Sequence, residues 1–199
     1  MNLQPTTLEG THVRLEPLAL KHAGDLFAAT RYPEIWEFLI AAPIQTLDEM
    51  RGWIEKAEKQ TVAGTNIWFA IVRRADHRAV GVTSYLNISR ADRSLEIGGT
   101  WLTPEVWRTA INTECKYLLL RHAFESLGCI RVQLKTDERN VRSQRAIERL
   151  GAVKEGILRK YQTTHSGYQR DTVMYSIINT EWQAVKKRLE GKLVPSGVP

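Results

Sequence analysis

The sequence predicts an α+β fold, with a mixed, mostly antiparallel central sheet of about six to seven strands, one central parallel pairing and helices on both faces. Two observations support this. Three short strand patterns separated by polar turns follow one another at 68–72, 80–86 and 95–102, as in an antiparallel meander. A long helix then joins the third strand to a further strand at 131–136, a crossover that pairs two strands in parallel.

The N-terminal elements precede this meander. Residues 13–18 alternate apolar and polar side chains, as a half-buried strand does, and 20–30 has the pattern of a short helix. Residues 32–43 are irregular and aromatic. A capping-box pattern at Thr46-Leu-Asp-Glu49 predicts the start of a second helix, which ends near Gly64.

The C-terminal elements also have clear boundaries. Apolar residues spaced three and four apart predict a helix over 111–127, which ends at Gly128. Asn140 is a favoured N-cap for a helix over 141–150, and a second capping-box pattern starts at Thr180. The remaining elements are strands at 152–160 and 172–178 and a final helix from 180 to about 189.

The composition is that of one globular domain. With 199 residues, 43% of them hydrophobic, we expect a single domain over 1–193 and a flexible tail at 194–199. No apolar run approaches the roughly 20 residues that cross a bilayer, and the N-terminus lacks the pattern of a secretory signal. Two cysteines, Cys115 and Cys129, are too few for a disulfide framework. We therefore expect buried free thiols and a cytoplasmic protein without a membrane partner.

The net charge of +6 is compatible with several partners. A basic surface attracts nucleic acid, acidic proteins or a phosphate-bearing cofactor, or it serves solubility alone. Because the Lys and Arg residues are scattered, we expect no nucleic-acid binding. The five histidines share no metal-ligand spacing with one another or with the cysteines, so we expect no metal. A monomer and a homodimer both remain open.

A strand that runs into a helix offers a phosphate site, because free backbone N–H groups meet the positive end of the helix dipole there. The strand 95–102 leads through the turn Trp107-Arg-Thr-Ala-Ile-Asn112 into the long helix. Arg108 adds a cation, and Thr109 and Thr113 add hydrogen-bonding groups. The turn suits a diphosphate, although the same residues also serve as ordinary helix caps.

A second polar turn, Asn140-Val-Arg-Ser143, has a residue at each end that can cap a helix or contact a ligand. In combination with the first turn, it makes the chain from Glu96 to Tyr175 resemble the GNAT acetyltransferases, in the branch that looks like the RimJ/RimL-type ribosomal-protein N-terminal acetyltransferases. The matching stretches are Leu95-Glu-Ile-Gly-Gly-Thr-Trp-Leu-Thr-Pro104, Trp107–Lys116, His122-Ala-Phe-Glu-Ser-Leu-Gly128, Asn140–Ser143, Leu150-Gly-Ala-Val-Lys-Glu-Gly156 and Arg170-Asp-Thr-Val-Met-Tyr175.

This resemblance implies the GNAT fold and an N-acetyltransferase that uses acetyl-CoA as co-substrate and no metal. The acetyl group would pass to a primary amine by direct attack of the amine on the thioester. The acceptor stays open between a protein N-terminal α-amine and a small-molecule amine. The residues that the resemblance implies for cofactor binding are Trp101, Leu102, Thr103, Trp107, Arg108, Thr109, Ala110, Ile111, Asn112, Thr113, Asn140 and Ser143.

The phosphate loop departs from the family pattern, which usually reads Gln/Arg-x-x-Gly-x-Gly/Ala. Trp107, Ala110 and Asn112 occupy the three pattern positions, and Arg108 stands where related loops often have a further glycine. Glycine permits close backbone approach and unusual dihedral angles. We therefore expect the loop to bind CoA more weakly, or partly through side chains.

Glu96 is the candidate general base, directly or through water, because it lies on the strand predicted to line the cofactor. The alternative is a solvated strand carboxylate. Six residues separate Glu96 from Leu102, which predicts that both side chains point to the same face. Backbone amides near Leu102 and Thr103 are expected to stabilise the oxyanion, and a bulge near Gly98-Gly99 is expected to splay the strand.

By resemblance, Ser143 lies near the departing sulfur and donates a proton to it, and Asn140 contacts the pantetheine arm. Tyr161 and Tyr175 are alternative proton donors. Related sequences can carry an acidic residue near position 162, where this chain has Gln162. This difference favours Glu96 as the base.

The acceptor is expected between residues 32–38, the helix that contains Trp53 and the loop 161–169. Trp36, Phe38 and Trp68 either wall this pocket or belong to the core. Two other functions remain open: a GNAT-like sensor or scaffold that binds acyl-CoA without catalysis, and a basic RNA- or ribosome-associated protein.

Overall fold

The computed structural model describes residues 1 and 3–193, so the predicted tail at 194–199 lies outside the described residues. The strands are β1 (Leu8–Glu9), β2 (Val13–Pro17), β3 (Ile67–Arg73), β4 (Ala79–Ser89), β5 (Ser94–Leu102), β6 (Arg131–Asp137), β7 (Val153–Thr163) and β8 (Gln169–Ile178). They form one sheet in the order β1-β2-β3-β4-β5-β6-β8-β7. Only β5 and β6 pair in parallel within the described chain, which confirms the predicted fold class.

Five α-helices join these strands in the described part of the chain. They are α1 (Ala23–Ala29), α2 (Leu47–Ala63), α3 (Ala110–Arg121), α4 (Val141–Leu150) and α5 (Trp182–Leu193). The predicted cap of α2 is confirmed, because the Thr46 hydroxyl accepts a hydrogen bond from Glu49 N at 3.1 Å. Gly64 and Gly151 end α2 and α4 in the left-handed conformation, with φ of 67° and 106°.

Several predicted boundaries are wrong. The region 20–30 divides into a 3₁₀ turn at Leu20–His22 and α1. The long helix changes at its C-terminal end to a π turn over His122–Ser126. The last helix begins at Trp182 rather than at Thr180, and the Glu181 carboxylate just before it accepts a hydrogen bond from Ile178 N at 3.0 Å. The sheet also has one strand more than expected, since β1 has only two residues and no periodic pattern.

Helices cover both faces of the sheet, and each face has its own hydrophobic core. Apolar residues of α1 and α2 pack on one face against β3 and β4, with Trp101 of β5 among them. Apolar residues of α3, α4 and α5 pack on the other face. We call these the α1/α2 face and the α3 face. Both cysteines are free and buried in the α3-face core, as expected, and burial raises the pKa of each thiol to about 11.

The N-terminal half of α3 is held against the sheet by a buried carboxylate. Glu114 is 4% exposed and accepts hydrogen bonds from the backbone N atoms of Thr11, His12 and Val13 at 2.7, 2.6 and 2.7 Å. Charge-assisted hydrogen bonds of this kind are the strong ones in proteins. They fix the start of α3 relative to β2, and therefore relative to the rest of the sheet.

Candidate active site

A wedge-shaped gap opens in the middle of the sheet. The parallel pairing of β5 and β6 covers only three residue pairs and ends where Glu96 faces Gln133. In the described chain, β5 continues to Leu102 paired with β4 alone, and β6 continues to Asp137 paired with β8 alone. The two strands therefore diverge beyond Glu96, and each presents an unpaired backbone edge to the gap.

A β-bulge in β5 lies beside this gap. Between the pairs Val82–Trp101 and Ser84–Gly98, the two residues Gly99 and Thr100 face one residue of β4, which confirms the predicted bulge near Gly98-Gly99. Gly99 has a φ of 60°, and a Cβ atom at this position would lie 2.7 Å from the Trp68 ring. Glycine is therefore required here for two reasons, its dihedral angle and the space.

The bulge corrects the predicted orientation of Glu96. An extra residue reverses the alternation of side chains along a strand. Leu95, Ile97 and Leu102 all belong to the core on the α3 face, so Glu96 points to the α1/α2 face, opposite to Leu102. The prediction that Glu96 and Leu102 share a face is wrong.

One of the two backbone amides predicted to stabilise the oxyanion already donates a hydrogen bond within the sheet. Thr103 N donates to Val80 O at 2.9 Å, which corrects the prediction that this amide is free. Because the N–H groups of an antiparallel strand alternate between its two sides, Leu102 N is directed away from β4, toward the gap. The Leu102 carbonyl accepts a hydrogen bond from the Trp107 indole at 2.9 Å, which fixes the end of the strand.

The turn between β5 and α3 keeps a backbone suited to glycine although it lacks glycine. Arg108 is exposed and has a φ of 63°, in the left-handed region, which explains why glycine is frequent at this position in related loops. Thr109 caps α3, since its hydroxyl accepts from Ile111 N at 3.3 Å and donates to Val106 O at 2.7 Å. The other N–H groups of the first turn have no acceptor within the helix.

The start of α4 lies next to this turn. Asn140 caps α4, because its Oδ1 accepts a hydrogen bond from Ser143 N at 2.9 Å, and Ser143 is half-buried. The guanidinium of Arg142 stacks on the Trp107 ring, 3.6 Å from its centroid. The structure therefore brings the two predicted turns together across the mouth of the gap. Arg142 was missed by sequence reasoning, although it stands inside the Asn140–Ser143 motif.

Three predicted cofactor residues belong to the core. The Trp101 side chain is 9% exposed and packs on the α1/α2 face, whereas Leu102 and Ile111 are 8% and 6% exposed and pack on the α3 face. Their side chains are therefore committed to packing. Only backbone groups of these three residues can contact a ligand in the gap.

Glu96 is a buried carboxylate in a hydrogen-bond cluster. It is 1% exposed, and its Oε2 accepts from Asn87 Nδ2 at 2.8 Å, Gln133 Nε2 at 3.0 Å and Lys135 Nζ at 3.1 Å. The alternative of a solvated strand carboxylate is therefore wrong. The Lys135 ammonium also lies over the Tyr161 ring, 5.4 Å from its centroid. The sequence shows these partners only as polar residues alternating on strands.

Tyr175, an alternative proton donor, belongs to the contact between β8 and α4. It is fully buried, and its hydroxyl donates to Glu148 Oε1 at 3.0 Å. Burial and the Glu148 carboxylate raise the pKa of Tyr175 to about 12. A phenol with this pKa is a weak acid near neutral pH. Tyr161 is 46% exposed and lies beside the Glu96 cluster.

Two of the three segments expected to border the acceptor, 32–38 and 161–169, meet at Arg139, whereas Trp53 of α2 packs edge-on against Trp68, with 5.3 Å between the ring centroids. The guanidinium of Arg139 lies 3.8 Å from the Tyr168 ring centroid and 5.7 Å from that of Phe38. An open cavity lies between the segment 27–45 and His165 of the β7–β8 turn. Trp36 lines this cavity with a small part of its surface, but it is otherwise buried in the core and its indole donates to Thr30 O at 2.9 Å.

Among the described residues, no group of three or more His, Cys, Asp or Glu side chains has an arrangement that would hold a metal ion. Among the helices of residues 1 and 3–193, none has the length and apolar character needed to cross a membrane.

A sheet that splays at one parallel pairing, with a polar helix N-terminus at the mouth of the gap, defines the class of acyltransferases that the sequence resembles. The chain matches the Acetyltransferase (GNAT) domain over residues 12–153 and belongs to this family. The predicted family and the acyltransferase class are thereby confirmed.

Related proteins agree with this assignment. A GCN5-related N-acetyltransferase from Brucella melitensis has a TM-score of 0.92 and 31% identity, and the match covers 98% of this chain and 89% of that chain. The Uncharacterized N-acetyltransferase p20 of Bacillus licheniformis is 24% identical over 176 residues, 88% of this chain and 98% of the relative. RimJ of Mycobacterium smegmatis, in complex with CoA-disulfide, has a TM-score of 0.82 at 21% identity, covering 94% and 95% of the two chains. The RimJ-like fold is thus confirmed.

Proposed function

We propose that the protein is an acetyl-CoA-dependent N-acetyltransferase that acetylates a primary amine by direct attack on the thioester. The observation that carries the proposal is the gap between β5 and β6, with Leu102 N directed into it and the start of α3 at its mouth. An extended pantetheine arm suits a strand edge with free N–H and C=O groups. A diphosphate suits a helix N-terminus with free amides.

The residues at the mouth fit CoA. The first-turn amides of Ala110 and Asn112, the Thr113 hydroxyl and the exposed Arg108 guanidinium supply donors and positive charge for the diphosphate. The Asn140 carbonyl oxygen is used in capping α4, which leaves its Nδ2 to donate to the pantetheine. The loop keeps a glycine-like backbone at Arg108, so its unusual sequence gives little support to a sensor without catalysis.

In the reaction, the amine nitrogen forms a bond to the thioester carbonyl carbon, and the carbon–sulfur bond then breaks. Leu102 N is the donor that would stabilise the negative oxygen of the tetrahedral intermediate. All three hydrogen bonds to Glu96 reach Oε2, which leaves Oε1 for a water molecule or for the amine. Glu96 would accept the amine proton there.

The absence of a strong base favours weakly basic acceptors. Neutralising a lysine amine at pH 7 costs roughly 4.6 kcal/mol, whereas an α-amino group costs about 1 kcal/mol. An α-amine therefore needs much less help from Glu96. The departing thiol has a pKa of about 8.5 if it resembles cysteine, so proton donation by Ser143 would contribute only a modest factor.

The test is to incubate the purified protein with acetyl-CoA and a panel of amines, peptides and ribosomal proteins, and to follow thiol release and acetyl-CoA binding. We expect Glu96→Gln to lower kcat by about a hundredfold, the low end of general-base effects, with little change in acetyl-CoA Kd. Asn140→Ala should raise that Kd. Glu55→Gln, at an exposed carboxylate on α2, is the control.

Full turnover by Glu96→Gln on a good acceptor would show that Glu96 is not the base. Binding of acetyl-CoA without transfer to any acceptor would favour a sensor. No binding of acetyl-CoA would contradict both functions.

A further inference from the structure

The part of the sheet beyond the gap carries a charged cluster on the α1/α2 face. Glu96, Lys135 and Asp137 alternate with core residues of β5 and β6 and share this face with Arg170 of β8. Arg139 follows β6 and completes the cluster. Three cations and two carboxylates leave one positive charge in excess.

Arg170 is the cation in this cluster without a carboxylate partner. It is 5% exposed, and its guanidinium donates to three neutral oxygens: Phe38 O at 3.1 Å, Gln162 Oε1 at 3.2 Å and Thr172 Oγ1 at 3.2 Å. No carboxylate in the described residues lies within ion-pairing distance of it. Arginine is almost never this buried without a partner, because a desolvated charge is costly.

The carboxylates that act on Arg170 electrostatically are already committed. Asp137 accepts two hydrogen bonds from the Arg139 guanidinium, at 3.0 and 2.8 Å, and Glu96 pairs with Lys135 at 3.1 Å. A guanidinium has five N–H donors, and three of those of Arg170 are used. One N–H on each terminal nitrogen remains, an arrangement that can receive a carboxylate.

The position of Arg170 relative to Glu96 suits one small acceptor. The Arg170 guanidinium donates a hydrogen bond to Thr172, and Thr172 lies opposite Asp137 of β6. Glu96 accepts a hydrogen bond from Lys135, which lies two residues before Asp137 on β6. Two strand residues correspond to roughly 7 Å. A molecule with an amine and a carboxylate a few bonds apart can contact both groups at once.

We propose that the acceptor is a primary amine that carries a carboxylate near its amino group, with the amine at Glu96 and the carboxylate on Arg170. This inference rests on the proposed N-acetyltransferase function. The carboxylate belongs either to a free amino acid or to an acidic residue at a peptide N-terminus. In both cases Arg170 recognises the same group, by charge and by hydrogen bonds in the plane of the guanidinium.

The experiment compares acceptors that differ only in this carboxylate. The peptide arm uses Asp-Ala-Ala-Ala-amide against Asn-Ala-Ala-Ala-amide, and the small-molecule arm uses free alanine against alanine amide. We expect the wild-type protein to prefer the acid in at least one arm by about tenfold to a hundredfold in kcat/KM, as expected for charged hydrogen bonds. The arm with the larger preference identifies the source of the carboxylate.

The matched variants separate recognition from folding. Arg170→Gln should remove the preference, because it lowers kcat/KM for the acid acceptors by about tenfold more than for the neutral ones, which make no ion pair. Arg170→Lys, which keeps the charge, should retain part of the preference even if Arg170→Gln fails to fold. Arg159→Gln, at an exposed site on β7, should keep it fully.

Equal kcat/KM for acid and amide acceptors in the wild-type protein would overturn this inference. So would an equal loss for both acceptors in Arg170→Gln, since a purely structural role affects both alike. The proposed function would survive either result, because acetyl-CoA binding and transfer to a neutral amine are measured in the same assays.

Discussion

Replacing Gly99 with alanine tests the bulge that separates β5 from β6. The new Cβ would lie 2.7 and 3.0 Å from two atoms of the Trp68 ring and 3.1 Å from Ser84 Oγ. Overpacking of this kind costs roughly 1–3 kcal/mol. The left-handed backbone adds roughly 1–2 kcal/mol for any residue with a Cβ, and alanine returns about 0.4–1 kcal/mol by restricting the unfolded chain. The expected loss of stability is about 2–4 kcal/mol.

The measurement is urea unfolding followed by circular dichroism, with Gly167→Ala as the matched control. Gly167 has a φ of 83° and nothing within 4 Å of an added Cβ, so alanine there has only the backbone cost, about 1 kcal/mol. A second control, Trp68→Phe combined with Gly99→Ala, should recover part of the loss because the contacting atoms belong to the larger ring. If Gly99→Ala is no more destabilising than Gly167→Ala, the close contact at the bulge does not exist.

Two further predictions concern charge. Although burial would raise it, hydrogen bonds from Lys21, Arg14 and His22 lower the pKa of Glu16 to about 2. The stabilisation by Glu16, about 3 kcal/mol, is therefore complete above pH ~4.5 and lost as the pH falls toward 2, with roughly 2 kcal/mol gone at pH 3. The free energies of unfolding of the wild-type protein and of Glu16→Gln, measured by urea titration, should therefore converge as the pH falls. A difference between them that does not change with pH would refute this. Arg108→Gly should change the free energy of unfolding by less than about 1 kcal/mol, since backbone relief and chain entropy oppose each other. It should also weaken acetyl-CoA binding, measured by calorimetry, and unchanged binding would exclude a contact by Arg108.

Local sequence patterns predicted the framework of the site. The periodicity of α3, the N-cap at Asn140 and the crossover between β5 and β6 depend on residues near each other in the chain, and the structure has all three. Each turn alone was compatible with simple helix capping. Their order and spacing, together with the family resemblance, pointed to the GNAT fold.

Apart from Arg142, the residues missed by sequence reasoning come from distant segments. Lys135 and Arg170 appear in the sequence as ordinary polar residues of alternating strands, and only the pairing of β6 with β8 brings them to one face. The reversed orientation of Glu96 follows from a single extra residue at the bulge, whose effect on alternation must be counted explicitly. The occupied amide of Thr103 depends on strand register, which a local pattern does not specify.

The most direct test of the account is transfer of the acetyl group itself. Acetyl-CoA labelled in its acetyl group is incubated with the wild-type protein, with Glu96→Gln and with an acceptor that has a free α-amine, and the product is identified by mass spectrometry. The account predicts an acetylated α-amine and one thiol released per acetyl group with the wild-type protein, and slow transfer with Glu96→Gln although both bind acetyl-CoA. Acetyl-CoA binding by wild type without acetylation of any amine would contradict it.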